Sequence, residues 1–311
     1  MRIGLDISGG DKAPKATLQG ALEALSILPP STEIALIGRE ADVLPFLDEH
    51  PEEAARLHFI AAEDCIEMGE HPAKAFASKP NSSIAVGFKA HAQGEIQAFA
   101  SAGNSGAMLV GSHYTIGTID GIHRPCITSV MPKLDGGQGI ILDVGINPDP
   151  KPEQLLQFAI MGTALAEQVY GVKQAKTALL NIGEEEGKGS NLAIQSYSLL
   201  KAENKLNFVG NVESRDLFNN NWDVLVCDGF TGNVVLKQAE AFYRIIMKKG
   251  ISDSFFDRFN YENYGGTPIL GVNGNVVLGH GISNSVAIKN MLRLAHEIAE
   301  SKLNEKLKQA F

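Results

Sequence analysis

Four short stretches of this 311-residue chain set glycines beside small polar or charged side chains. They are Ser8-Gly9-Gly10-Asp11, Ser101-Ala102-Gly103-Asn104-Ser105-Gly106-Ala107, Gly183-Glu184-Glu185-Glu186-Gly187-Lys188-Gly189 and Asp228-Gly229-Phe230-Thr231-Gly232-Asn233. Each follows an apolar, strand-like run and precedes a helical pattern. That order leaves backbone N–H groups and the positive end of a helix dipole at the loop, an arrangement suited to phosphate or to an oxyanion. Glycine also marks ordinary tight turns, so one such loop says little. Four of them, with Asn, Ser, Thr or Lys beside the glycines, point to an anion site. None is a Walker A motif, and no Gly-x-Gly-x-x-Gly fingerprint occurs, so neither nucleotide signature is present.

The residues that could attack a substrate are as informative. There is no Gly-x-Ser-x-Gly elbow. Of eight histidines, only His280 sits between glycines in a loop. Cys65, Cys126 and Cys227 are widely spaced and form no metal pattern and no disulfide framework. Cys126 and Cys227 lie in apolar runs and read as buried structural thiols. Phosphate-cradling loops without a protein nucleophile suit a reaction in which bound phosphate itself attacks. A thiolate leaving group, with a pKa of about 8.5, needs little acid assistance. The protein is then left to position the reactants and stabilise a tetrahedral oxyanion.

Strands alternating with helices position these loops. Strand patterns fall near 3–7, 33–37, 57–61, 96–100, 125–131, 139–144 and 176–182, with short ones near 208–211, 224–227 and 269–278. Helical patterns lie between them, with Asp11 as an N-cap and Pro14 in the first turn of the first helix. The alternation predicts an α/β fold: a doubly wound, mainly parallel sheet in a three-layer α/β/α arrangement. The glycine loops fall at the carboxyl ends of strands, where an open α/β sheet forms its crevice. A Pro-rich link at 148–152 is the one weak boundary, so residues 1–311 read as a single α/β catalytic domain. A short helical hairpin at about 238–261 is available for dimer or membrane contact.

Composition agrees with a soluble protein: 44% apolar, 20% charged and a formal net charge of −9. That charge gives no electrostatic support for a nucleic-acid partner. No apolar run reaches the ~20 residues needed to span a bilayer. The chain opens directly on a strand-like run, which reads as a cytoplasmic protein.

At its loops the sequence resembles the PlsX family, the bacterial acyl-acyl-carrier-protein:phosphate acyltransferases of phospholipid synthesis. The matching stretches begin with Asp6-x-x-Gly9-Gly10-Asp11-x-Ala13-Pro14, Ser101 to Ala107 and Leu142-Asp143-Val144-Gly145-x-Asn147. They continue with Asn181-Ile182-Gly183-x-Glu185-x-x-Lys188-Gly189, Gly210-Asn211-Val212-Glu213, Asp228 to Val234 and Tyr264-Gly265-Gly266. The resemblance implies acyl transfer from an acyl-carrier-protein thioester to inorganic phosphate, giving acyl phosphate without a covalent acyl-enzyme. It implies a fold similar to the isocitrate/isopropylmalate dehydrogenases and phosphotransacetylases, a homodimer, and no metal or other cofactor. A membrane glycerol-3-phosphate acyltransferase would take the product, at the inner face of the membrane.

Carried onto this chain, the resemblance makes Lys188 and Asn233 the catalytic candidates. Lys188 would neutralise phosphate and the developing oxyanion; alternatively it is a solvated lysine balancing Glu184 to Glu186. Asn233 would donate its amide to phosphate or to the thioester oxygen; alternatively it caps the following helix. Ser101, Gly103, Asn104, Ser105 and Gly106 are candidate phosphate contacts. Gly10, Asn147, Asn181, Gly183, Glu185, Thr231, Gly232 and His280 complete the candidate binding set. Asp11 and Asp228 are expected to organise loops, because a bare carboxylate repels phosphate.

This chain departs from the family pattern in having Ser105 for threonine, Ile146 for a small residue, and a hairpin about twenty residues shorter. Phe255, Phe256 and Phe259 remain there as packing or as a membrane foot. Two enzyme alternatives stand beside this reading: a phosphotransacetylase acting on acyl-coenzyme A, and a hydride-transferring dehydrogenase of the same fold. A non-catalytic scaffold that binds a carrier protein is a further one.

Overall fold

The computed structural model describes all 311 residues. Its strands are β1 (Arg2–Asp6), β2 (Glu33–Gly38), β3 (Leu57–Ala61), β4 (Ala98–Ser101), β5 (Cys126–Pro132), β6 (Gln138–Leu142), β7 (Lys176–Asn181), β8 (Asn207–Glu213), β9 (Val224–Val226), β10 (Thr267–Leu270) and β11 (Val276–Leu278). Its helices are α1 (Lys15–Leu25), α2 (Glu40–Glu49), α3 (Pro72–Ser78), α4 (Ser83–Ala92), α5 (Ser105–Gly111), α6 (Pro152–Gln168), α7 (Asn191–Ala202), α8 (Gly229–Lys248), α9 (Ser285–Glu300) and α10 (Leu303–Ala310). The chain forms two compact units, Met1–Ile119 with Tyr261–Asn304, and Asp120–Asn260 with Glu305–Phe311. The sequence shows neither division, and its Pro-rich link falls inside the second unit.

In the first unit the strand order is β3-β2-β1-β4-β11-β10. All neighbours run parallel except β10 and β11. Ile3 and Leu5 of β1 are both fully buried, as a central parallel strand covered by helices requires. Helix α1 packs along α9.

The second unit has the order β5-β6-β9-β7-β8. Here β5 and β6 form the antiparallel hairpin expected around Asp135-Gly136-Gly137, and the other pairs are parallel. Its core gathers Met131, Ile141, Leu225 and the fully buried Trp222, with Val235 and Leu236 of α8 packed against it. The mainly parallel α/β arrangement read from the sequence is the one observed.

Three local expectations are corrected. Asp11 does not cap α1; Pro14 occupies that position without a side-chain cap, and the helix starts at Lys15. The single last helix expected from the pattern over about 283–309 is two helices, because Lys302 adopts a left-handed backbone (φ 56) between α9 and α10.

The hairpin near 238–261 has only one helical arm. Helix α8 ends at Gly250 (φ +70), whose N–H donates to the Met247 carbonyl at 3.0 Å. The expected second arm is a 3-10 turn, Phe256–Phe259. Its phenylalanines turn inward: the Phe255 and Phe259 rings lie edge-on to Phe218, with centroids at 5.9 and 5.7 Å. Phe255 and Phe259 thus pack within the chain, with Phe256 beside Phe255 (5.5 Å).

Candidate functional site

Each unit is organised at one end by a buried aspartate at the carboxyl end of a central strand. In the first unit this is Asp6, which is fully buried. Its carboxylate accepts from the Ser8 N–H at 3.0 Å and from the Ser101 hydroxyl at 2.7 Å. Ser101 in turn accepts from the Gly103 N–H at 2.9 Å. Burial pushes the Asp6 carboxyl above the usual carboxylate range, against the hydrogen bonds from Ser101 and Ser8 that lower it. Gly9 passes close enough that a Cβ there would lie 2.4 Å from the Asp6 carboxylate and 2.7 Å from the Gly103 nitrogen. Only glycine lets these two loops touch.

This geometry reassigns several candidates. Ser101, Gly103 and Asn104, expected as direct phosphate contacts, spend their polar groups inside the chain. Asn104 caps α5 through the Ala107 N–H (3.0 Å), and its amide donates to the carbonyls of Glu67, Met68 and Glu70. What remains available is Ser105, exposed at the start of α5, and the N–H groups of Ser105 and Gly106. Gly10 (φ +105) and Asp11 tie the first loop to the last, the Asp11 N–H donating to the Gly281 carbonyl at 2.7 Å. Asp11 therefore organises the loop through its backbone. His280 is exposed, with its ring edge-on to Tyr261 at 5.0 Å.

In the second unit the organising group is Asp143. Its carboxylate accepts from the N–H groups of Ile127, Val144, Ile146 and Asn147 and from the Asn147 side-chain amide. Burial raises this carboxyl above its ordinary value while those donors pull it down. Asn147 is buried and serves the loop: its carbonyl accepts from the Gly229 N–H at 2.7 Å and its amide also donates to Pro125. Its backbone carbonyl thus clamps Gly229, while its side-chain Oδ1 is buried without a hydrogen-bond partner. A Cβ at Gly229 would lie 2.6 Å from the Asp143 carboxylate, and one at Gly232 would meet the Asp143 carbonyl at 2.0 Å. The start of α8 is pressed onto the 143–147 loop, and its glycines make that possible.

The expected loop 228–233 is in fact the first turn of α8. Asp228 is the N-cap, accepting from the Thr231 N–H (2.8 Å) and hydroxyl (2.7 Å). The capping role considered for Asn233 therefore belongs to Asp228. Asn233 is exposed, and its amide donates to the Val144 carbonyl at 3.1 Å. An amide has two N–H donors, so the other remains for a ligand.

Lys188 is exposed and makes no ion pair; Glu186 pairs instead with Lys201 at 2.8 Å. The loop that carries Lys188 is held by Asn181, whose amide donates to the Lys188 carbonyl (3.0 Å), and by Asn211, whose amide donates to the Glu185 carbonyl (2.9 Å). Gly183 is buried within the same loop. Beside these loops a cleft of 530 Å³ is lined by residues of α6, β7, α7 and α8.

The thiols are withdrawn from chemistry. Cys126 and Cys227 are buried, and burial drives both well above the usual thiol value. Cys65 is pushed up to about 11, chiefly by burial and by the nearby Asp6. No group of three or more His, Cys, Asp or Glu side chains is arranged to hold a metal ion. The organising aspartates were absent from the sequence-derived candidates. Their signal was an acidic residue closing an apolar run, as in Ile3-Gly4-Leu5-Asp6 and Ile140-Ile141-Leu142-Asp143.

A family model described as "Fatty acid synthesis protein" matches residues 1–306. A phosphate acyltransferase of Dictyoglomus thermophilum is 40% identical, covering 99% of this chain and 96% of that protein. One of Heliobacterium modesticaldum is 43% identical, covering 96% and 93%. Among solved structures, the EutD phosphotransacetylase from Staphylococcus aureus has the same fold, with a TM-score of 0.64 over 97% of this chain and 94% of that one, at 16% identity.

Proposed function

The chain belongs to the phosphate acyltransferase (PlsX) family and is an acyltransferase; from that premise we propose that it moves a fatty acyl group from an acyl-carrier-protein thioester to inorganic phosphate. The observation that carries direct attack is the state of the thiols. All three are shifted upward and two are buried, so none is ready to form a thioester with the substrate. A phosphate oxygen attacks the thioester carbonyl carbon. The tetrahedral oxyanion then collapses, the carbon–sulfur bond breaks, and the carrier thiol leaves as thiolate and takes up a proton. The products are acyl phosphate and free carrier protein.

Within the second unit, Lys188 supplies an unpaired cation for the phosphate. The free donor of Asn233 faces the charge that develops on the carbonyl oxygen. Asp143 holds the carbonyl that orients Asn233, and Asp228 fixes the helix that carries it. In the first unit, Ser105 and the Gly106 N–H are the remaining phosphate-contact candidates. The product would feed glycerophospholipid synthesis through a membrane glycerol-3-phosphate acyltransferase, with this enzyme as a homodimer in the cytoplasm or at the inner membrane face. No helix is long and apolar enough to cross a membrane.

The test is an acyl phosphate assay with matched acyl-carrier-protein and acyl-coenzyme A thioesters. A higher kcat/KM for the carrier-protein thioester is expected. A strong preference for coenzyme A would replace this reading with that of a phosphotransacetylase.

A further inference from the structure

We propose that the 530 Å³ cleft of the second unit is the acyl-chain subsite, an assignment that rests on the acyl-transfer reading above. Its volume falls within the range of about 300–1,000 Å³ typical of small-molecule sites. The wall is aliphatic from four elements: Leu155 of α6, Leu179 and Leu180 of β7, Leu192 of α7 and Val235 of α8. At its edge Ile182 is 81% exposed and continues the apolar surface outward.

The polar residues on this wall decide what it takes. Asn181 donates to the Lys188 carbonyl and accepts from the Ile182 N–H. Ser190 caps α7 by accepting from the Ala193 N–H. Thr231 and Asp228 are bonded to each other, Glu213 accepts from Arg215 at 3.2 Å, and Ser214 lies exposed at the rim. Away from that rim, a ligand carrying amides or hydroxyls would have to desolvate them against groups already committed. An alkyl chain has no such groups and gains by leaving water. The pantetheine arm of the donor carries two amides, so it fits this wall worse than the acyl chain does.

The polarity of the cleft follows from its neighbours. Gly189 lies on the wall and Lys188 directly precedes it in the chain, whereas Asn233 lies about 200° round α8 from Thr231, so the cleft meets the reacting groups on its Lys188 side. The thioester carbonyl belongs at that edge, with the chain running past Leu180 towards Leu155 and Leu192. The same loops that hold the reacting group thereby select its chain.

Val235→Trp and Leu192→Phe narrow the cleft from α8 and from α7, so that a folding defect in one leaves the other informative. With palmitoyl and butyryl thioesters of the carrier protein, the ratio of kcat/KM for long to short chain should fall about tenfold or more in each folded variant. An unchanged ratio in both overturns the assignment. So does an equal loss for both chains together with stronger inhibition by free pantetheine in the wild type than in the variants, which would make the cleft the pantetheine site.

A second readout does not need turnover. Calorimetric titration of palmitate into the wild type and the two variants reads the cleft directly. Palmitate should bind the wild type and bind Val235→Trp and Leu192→Phe about tenfold more weakly; equal binding to all three counts against the subsite. Absence of acyl phosphate from every thioester in the wild-type enzyme would instead overturn the acyl-transfer reading, and the palmitate titration would still test the cleft.

Discussion

The side-chain amide of Asn233 donates to the backbone carbonyl of Val144 at 3.1 Å, across 89 residues of sequence. Val144 is fixed by Asp143, whose carboxylate collects the backbone N–H groups of the same loop. The catalytic candidate on α8 is therefore aimed by a buried aspartate on another strand. This gives a specific expectation for Asn233→Ala. Its kcat should fall about 10²–10³-fold, the loss typical of one oxyanion donor, with stability lowered by only about 1 kcal/mol, the worth of the Val144 hydrogen bond. Asn233→Asp should be at least as poor, because it removes both donors and sets a negative charge against phosphate. Steady-state kinetics beside urea titrations separate the two effects.

Lys188 is exposed and unpaired, so its contribution lies in binding an anion rather than in holding the loop. Lys188→Ala should raise KM for phosphate about tenfold or more, the worth of a charge-assisted hydrogen bond. Lys188→Arg should recover part of it. Added salt should weaken phosphate binding more in the wild type than in Lys188→Ala. Phosphate saturation curves at two ionic strengths check this.

Gly229→Ala tests the contact between α8 and the 143–147 loop. The added Cβ would lie 2.6 Å from the Asp143 carboxylate and 2.8 Å from the Asn147 carbonyl, and backbone cannot swing aside as a side chain can. Destabilisation of about 1–3 kcal/mol is expected, with a lower kcat because Asn233 rides on the same helix. Chemical denaturation gives the first number and turnover the second.

His91 supplies a pH dependence away from the site. Its Nδ1 lies 3.0 Å from the Ile96 carbonyl and its Nε2 lies 3.1 Å from the Asn275 N–H, so Nδ1 donates and Nε2 accepts. Burial disfavours the charged ring and outweighs the Ile96 hydrogen bond that favours it, so the pKa is lowered below 6.5; a proton on Nε2 would also face the Asn275 N–H, donor against donor. The unfolded chain protonates first as pH falls. The stabilising difference is thus complete above about 6.5 and is lost as pH drops from there through the folded value. Its slope is at most about 1.4 kcal/mol per pH unit. His91→Gln should remove that part of the acid-limb slope, as read from urea unfolding at pH 7.5, 6.5 and 5.5.

Helix α8 carries a further expectation. Phe230, Val234, Phe242 and Ile245 are all more than half exposed along it. At 100° per residue they share one broad face, opposite the Leu236 side that packs on the core. The homodimer proposed from the family is assigned to this face. Phe242→Glu with Ile245→Glu should convert a dimer to a monomer in light scattering. A wild-type chain that is monomeric but floats with anionic vesicles would assign the face to membrane instead.

Much of this arrangement can be read from local sequence, and what cannot is long-range. Apolar runs and their spacing indicate the strands, the β5–β6 hairpin and the anion-type loops at strand ends. The start of α8 is hidden because Gly-Phe-Thr-Gly has loop propensity; the Asp228 cap and packing on Asp143 override it. Ser101 looks like a phosphate contact by type and position. Its hydroxyl is taken by Asp6, 95 residues away, a pairing no spacing rule contains. Asp6 and Asp143 each close an apolar run in the sequence, but the loop N–H groups they collect are fixed only by the fold. The packing of Phe255 and Phe259 on Phe218 joins residues 37 or more apart, which no local pattern contains.

The central claim is that phosphate attacks the thioester directly. The measurement is a rapid quench of carrier protein loaded with a labelled acyl group, mixed with enzyme in the presence and absence of inorganic phosphate. With phosphate, label should appear in acyl phosphate; without it, the thioester should stay intact and the enzyme unlabelled. Label on the enzyme in the absence of phosphate, or no acyl phosphate in its presence, would contradict the account.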